Sequence, residues 1–160
     1  GINTKDSELT VKGFRENILR GLNQFINKNN INYSINNELS TEGLFDDFLM
    51  NFEFQKNKKK IYVIIDEYDQ FANELLSFKF NDFKTLVTRN GDVRKWYEVL
   101  KKGVFSAVVD RVFMTGVEPI TLDGLTSGFN IATNITRDRR FNEMLGFTKD
   151  ELIKMMNDFN

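Results

Sequence analysis

The stretch Lys60-Ile61-Tyr62-Val63-Ile64-Ile65-Asp66-Glu67-Tyr68-Asp69 constrains the fold more than any other part of the chain. Residues 61 to 65 are all β-branched or aromatic, and two adjacent carboxylates follow them. An unbroken apolar run of this length is how a strand buried on both faces of an α/β sheet reads. Acids placed directly after such a strand stand at its C-terminal end, where open α/β sheets hold their ligands. Many buried strands also end in an acidic turn that binds nothing. Taken alone, Asp66-Glu67 fits either a ligand site or a solvated strand end.

Composition narrows the chemistry. The chain has no cysteine and no histidine, which excludes disulfides, thiolate metal sites and imidazole acid-base catalysis. Carboxylates, hydroxyls and a hard cation such as Mg²⁺ remain. In nucleotide hydrolases with acids at a strand end, the first acid holds Mg²⁺ and a neighbouring glutamate polarises the attacking water. The absence of cysteine also fits a reducing compartment. With no apolar signal segment and no stretch of membrane-span length, the expectation is a cytoplasmic protein without membrane contact. A formal net charge of -1 suggests no polyanion-binding surface, so no direct nucleic-acid binding is expected. Lys56 and Lys58 to Lys60 read as the solvated end of a helix and its turn, ahead of a nucleic-acid patch.

Taken in order, residues 2 to 12 are ambiguous: Ile2 can close a strand, with a polar loop after it. From Gly13, the spacing of Phe14, Ile18, Leu22, Phe25 and Ile26 predicts an amphipathic helix to about Lys28. An Asn-rich loop follows, then a helix capped by Ser40 or Thr41 with the stripe Leu44, Phe45, Phe48, Leu49 and Phe52. Gln55 to Lys60 is the turn into the strand. Beyond Asp69, Phe71, Leu75 and Leu76 suggest a short helix, and Phe80, Phe83 and Val87 keep helical spacing until Asn90-Gly91 breaks it. Asp92 is the expected N-cap of a helix carrying Val93, Trp96, Tyr97, Leu100 and Phe105. Arg111 to Gly116 reads as a second buried strand ending in a hydroxyl and a glycine, and 117–134 as loop. Arg137, Asp138, Arg139 and Arg140 form a mixed charged group. Thr148 and Glu151 have capping-box spacing ahead of Leu152, Ile153 and Met156. Sixteen phenylalanines and one proline in 160 residues suit long elements packed on an aromatic core. The expected fold class is α/β, a three-layer single domain over 1–160, with its core at about 10–135 and a small helical extension at about 136–160.

Several segments together resemble the predicted AAA-ATPase-like family of bacteria and archaea, within the P-loop NTPase superfamily. They are Asp66-Glu67-Tyr68-Asp69, Trp96-Tyr97-Glu98-Val99-Leu100-Lys101, Val112-Phe113-Met114-Thr115-Gly116-Val117 and Ser127-Gly128-Phe129-Asn130. Asp138-Arg139-Arg140-Phe141 and Gly146-Phe147-Thr148-Lys149-Asp150-Glu151-Leu152 continue the series in the family's order. The resemblance implies that Asp66-Glu67 is a Walker B-like pair, with Asp66 organising Mg²⁺ and Glu67 activating water. By the same resemblance, Thr115 stands where a polar sensor residue contacts the γ-phosphate or the attacking water. Asp69 matches a signature acid that either supports the ion indirectly or caps a helix. Arg140 matches an arginine before an aromatic residue, which either faces phosphate or pairs with an acid such as Asp138. Thr148 and Glu151 correspond to cap residues.

The chain also departs from that pattern. No Gly-x-x-x-x-Gly-Lys occurs in it, and Gly13, Gly21 and Gly43 lie in or beside helical stretches. The Walker A loop supplies backbone N–H donors, a lysine for the β- and γ-phosphates and a hydroxyl for Mg²⁺. The expectation is therefore an incomplete P-loop NTPase-like core, either cut from a parent protein whose upstream segment carries the phosphate-loop strand or evolved without that strand. Glu118-Pro119-Ile120 replaces the family's usual Ser-Arg-Phe after the sensor strand. Asp66, Glu67, Asp69 and Glu118 alone would mostly repel a triphosphate. ATP and Mg²⁺ are thus expected as cofactors of the complete parent, with neither tight ATP binding nor hydrolysis by this chain alone. Lack of the neighbouring strand would also uncover an edge at Val112 to Thr115 that invites self-association. Relatives often carry a restriction-endonuclease-like domain downstream, to which any nucleic-acid role would belong. The alternatives are a non-catalytic ATPase-derived scaffold or protein-interaction module, and an acidic turn on an unrelated helical protein.

Overall fold

The computed structural model describes residues 4–55, 59–68, 91–116, 131–144 and 146–158. They belong to two compact units, Gly1–Asn130 and Ile131–Asn160.

The first unit opens with helix α1, Thr4–Lys28. Its C-terminal half follows the predicted apolar spacing, but it starts well before Gly13, in the stretch with ambiguous sequence signals. Residues 4 to 12 hold no proline or glycine, and Lys5, Glu8, Leu9 and Lys12 are good helix formers. Polarity there marks a solvated helix as well as it marks a loop. Ile2 lies outside the described residues. The helix closes on Asn30, whose φ of 52° is left-handed. Around it the Ile31 N–H reaches back to the Ile26 carbonyl at 3.0 Å, the bond that ends many helices.

Helix α2, Thr41–Phe54, is capped by Ser40, whose Oγ accepts from the Gly43 N–H at 3.3 Å. The predicted stripe packs inward, with Leu44, Phe45, Phe48 and Leu49 buried. Helix α3, Asp92–Phe105, buries Val93, Trp96, Tyr97 and Leu100 against it. Its N-cap is Gly91, with no side-chain cap; Asp92 instead sits in the first turn, where a carboxylate favours the positive end of the helix. The ring of Trp96 stacks on Phe45 at 5.1 Å and meets the edge of Phe14 at 5.8 Å. Gly103 lets α3 approach closely: a Cβ there would lie 2.8 Å from Leu49 Cδ1 and 3.0 Å from Val109 Cγ2. Lys102 then ties α3 to α2 through Asp46 at 2.7 Å.

Strands β1, Ile61–Ile65, and β2, Val109–Met114, pair in parallel, from Ile61 with Val109 to Ile65 with Met114. β2 begins ahead of the predicted Arg111: Val109 pairs with Ile61, and Asp110 is then skipped by a register shift before Arg111 pairs with Tyr62. Lys60 lies 3.8 Å from the Asp110 carboxylate. Among the described residues, nothing buries both faces of β1. Ile61 and Val109 pack under the helices, whereas Tyr62 and Ile64 are 62% and 74% exposed on the opposite face. Arg111 covers the Tyr62 ring there at 5.7 Å. An apolar run signals a strand but does not say that both of its faces are covered.

The second unit contains a 3-10 turn, Arg139–Phe141, and helix α4, Lys149–Asp158. The capping box predicted for α4 is present. The Glu151 N–H donates to Thr148 Oγ1 at 3.3 Å, and Glu151 Oε2 accepts from the Thr148 N–H at 2.7 Å. The molecule is thus a mixed α/β protein with a small two-stranded parallel sheet among the described residues. None of the described helices is long and apolar enough to cross a membrane. The helices expected at 71–87 and most of the loop expected at 117–134 lie outside the described residues.

Candidate functional site

Because β1 and β2 run parallel and keep one register from Tyr62 and Arg111 onward, their C-terminal ends finish side by side at Ile65 and Met114. One residue beyond, the Thr115 N–H donates to the Ile65 carbonyl at 2.9 Å, and the Tyr68 N–H donates to the Thr115 carbonyl at 3.0 Å. The segment between these two bonds is the acid pair. To close so tight a turn, Glu67 takes a left-handed backbone with φ 51°. That conformation costs a non-glycine residue roughly 1–2 kcal/mol, and strained residues of this kind concentrate at functional sites.

The side chains converge as well. Asp66 Oδ1 accepts from the Glu67 N–H at 3.1 Å and from the Thr115 hydroxyl. Asp66 and Glu67 are exposed and Thr115 is half-buried, so the acids open to solvent at the tip of the sheet. The structure therefore brings the Asp66 and Thr115 side chains together, with Glu67 joined to them through its N–H. Asp69 lies outside the described residues. Arg140 belongs to the second unit, where its Nε and Nη2 donate to the Asp138 carboxylate at 3.0 and 2.5 Å. This fork holds the Asp138 carboxyl below the usual carboxylate range and moves the Arg140 guanidinium above its own.

No group of three or more carboxylate, imidazole or thiolate side chains gathers around a metal-sized space among the described residues. The donor set suits Mg²⁺ nonetheless. That ion is commonly held by one or two carboxylates, with water and substrate phosphates completing its octahedron. An exposed Asp66, whose second oxygen has no hydrogen bond among the described residues, can serve as such a ligand.

Sequence reasoning placed Tyr97 in the core and gave Tyr68 no task. The structure ties Tyr68 to the acid turn and buries Tyr97. Tyr68 closes the turn through its main chain, and Tyr97 is 3% exposed on α3. Burial above all, and the charge of Tyr68 next, raise the Tyr97 phenol well above its ordinary value. The only signal in the sequence was the adjacency of Tyr68 to the acids.

The family model described as Predicted AAA-ATPase matches residues 2–126. The chain belongs to the AAA-ATPase-like family. The matched span contains α1, α2, the parallel pair and the Asp66-Glu67 turn with Thr115. Arg140 and the Thr148–Glu151 cap lie beyond it. Searches of the curated proteins and of the solved structures find no match.

Proposed function

We propose that this chain is the acid-bearing part of a Mg²⁺-dependent ATP-hydrolysing protein of the AAA-ATPase-like family. The observation that carries the reading is the hydrogen bond from the Thr115 hydroxyl to Asp66, made across the tips of adjacent parallel strands. A solvated strand end needs no such bond, and no left-handed glutamate beside it. Asp66 holds the cation, Glu67 takes the proton of the attacking water, and Thr115 is the polar group of the neighbouring strand that completes the site. Mg²⁺ held by Asp66 would supply neutralisation of the phosphate charge.

The carboxylates of this turn attract a triphosphate only when donors oppose them. These 160 residues contain no Gly-x-x-x-x-Gly-Lys. The phosphate-cradling donors therefore come from a segment outside them, and the core functions once that segment is joined.

The test compares ATP turnover by the 160-residue chain with turnover by the parent protein that includes a Gly-Lys-Ser/Thr loop. The expected outcome is no magnesium-dependent turnover by the chain, turnover by the parent, and a loss of about 10²–10⁴-fold in the parent carrying Glu67→Gln. Turnover by the isolated chain overturns the dependence on a separate loop. An inactive parent of normal fold favours the non-catalytic scaffold instead.

A further inference from the structure

Thr115 engages the acid turn with every polar group it has. Its N–H is given to Ile65 and its carbonyl accepts from Tyr68, at 2.9 and 3.0 Å, and its hydroxyl donates to Asp66 Oδ1. With both main-chain groups committed, the position of Oγ1 depends on χ1 alone, and a β-branched side chain is stiff there. Asp66 Oδ1 in turn receives two donors, the Thr115 hydroxyl and the Glu67 N–H. Each carboxylate oxygen offers about two lone pairs, so Oδ1 is filled and Oδ2 is the oxygen left for another ligand. The balance of protons matters equally. A hydroxyl carries one, and the proton that Thr115 gives Asp66 is not available to a phosphate oxygen.

We infer that Thr115 is a positioning residue for Asp66: its hydroxyl locks the carboxylate so that Oδ2 alone is presented to a divalent cation. It thereby sets metal affinity. This depends on the reading of Asp66 as the cation's ligand, and it adds which oxygen binds and what holds it in place. A group that orients a metal ligand commonly contributes about 10- to 100-fold to metal affinity.

The experiment titrates the 160-residue chain with Mn²⁺ alone, without nucleotide, and follows paramagnetic broadening of the Ile65, Asp66 and Glu67 amide signals. The wild-type chain is expected to broaden at these positions, and Asp66→Asn to abolish the effect. Thr115→Val keeps the shape and both main-chain bonds but lacks the hydroxyl, and should need about tenfold more Mn²⁺. Thr115→Ser restores the hydroxyl and should behave as wild type. Equal broadening in the valine and wild-type chains overturns the inference while leaving Asp66 as a ligand. Weakening by both substitutions overturns it too, because the lost methyl group would then be the cause. If the wild-type chain does not broaden, or Asp66→Asn broadens like it, the assignment of Asp66 itself fails.

Discussion

Single residues in this chain carry opposite consequences for the same chemical change, as two helical glycines illustrate. At Gly103 an added Cβ meets Leu49 Cδ1 at 2.8 Å and Val109 Cγ2 at 3.0 Å, while at Gly13 it meets nothing within 4 Å. Alanine gains about 1 kcal/mol over glycine in a helix interior from backbone entropy. Gly13→Ala should realise that gain. At Gly103 the gain competes with overpacking, which typically costs about 1–3 kcal/mol. The terminal methyl of Leu49 can swing aside, but Val109 is fixed in the strand and 1% exposed. Overpacking should therefore win, leaving Gly103→Ala less stable by about 1 kcal/mol in urea unfolding. A midpoint for Gly103→Ala at or above that of the unmutated chain would show that α3 has room to retreat from β2.

At the scale of elements, the helices with one clear apolar stripe were legible and the features with mixed signals were not. The α2 residues Leu44, Phe45, Phe48 and Leu49 recur at helical spacing and pack together as that spacing requires. The start of α1 was hidden because its polar residues fit both a loop and a solvated helix. The start of β2 was hidden because the exposed Asp110, skipped at a register shift, separates Val109 from the predicted strand. The tips of β1 and β2 were readable as acids and a hydroxyl. Their mutual hydrogen bonds were not, since a bond between residues 49 apart has no local signature. The capping residue of α2 was narrowed to a pair, and the geometry selects Ser40, with Thr41 buried as the first helical residue. Ser40→Ala should accordingly cost about 1 kcal/mol and Ser40→Asp almost nothing, measured by thermal unfolding. Equal melting of the alanine variant and the parent would mean that Thr41 or water satisfies the same N–H.

For the molecule as a whole, pH should act on its two units from opposite ends of the scale. In the second unit, Arg140 lowers Asp138, and the Thr148 N–H, then its hydroxyl, lowers Glu151. A carboxyl depressed in the folded state stabilises it above the ordinary carboxylate range and loses that effect as pH falls. The first unit has two tyrosines displaced the other way. Tyr97 is raised mainly by burial, and Tyr33 by burial and by the 2.6 Å hydrogen bond from its hydroxyl to Asp47. Both hold their protons more tightly when folded. Their contribution is therefore complete below the ordinary tyrosine value of 10.0 and declines as pH rises beyond it. Each proton held only by the folded state removes at most about 1.4 kcal/mol per pH unit, less for Tyr33, which is only partly buried. Trp96 is the single tryptophan and sits in this core, so its fluorescence reports the first unit. Urea unfolding followed by that signal from about pH 9 to about pH 11 should show falling stability, with a shallower fall in the Tyr33→Phe, Tyr97→Phe double variant. Lysines titrate in the same range but are common to both proteins, so the difference in slope isolates the phenols. Identical slopes would mean that the two tyrosines ionise as easily in the folded chain as in the unfolded one, and that the packing of α2 and α3 around them is looser than their burial indicates.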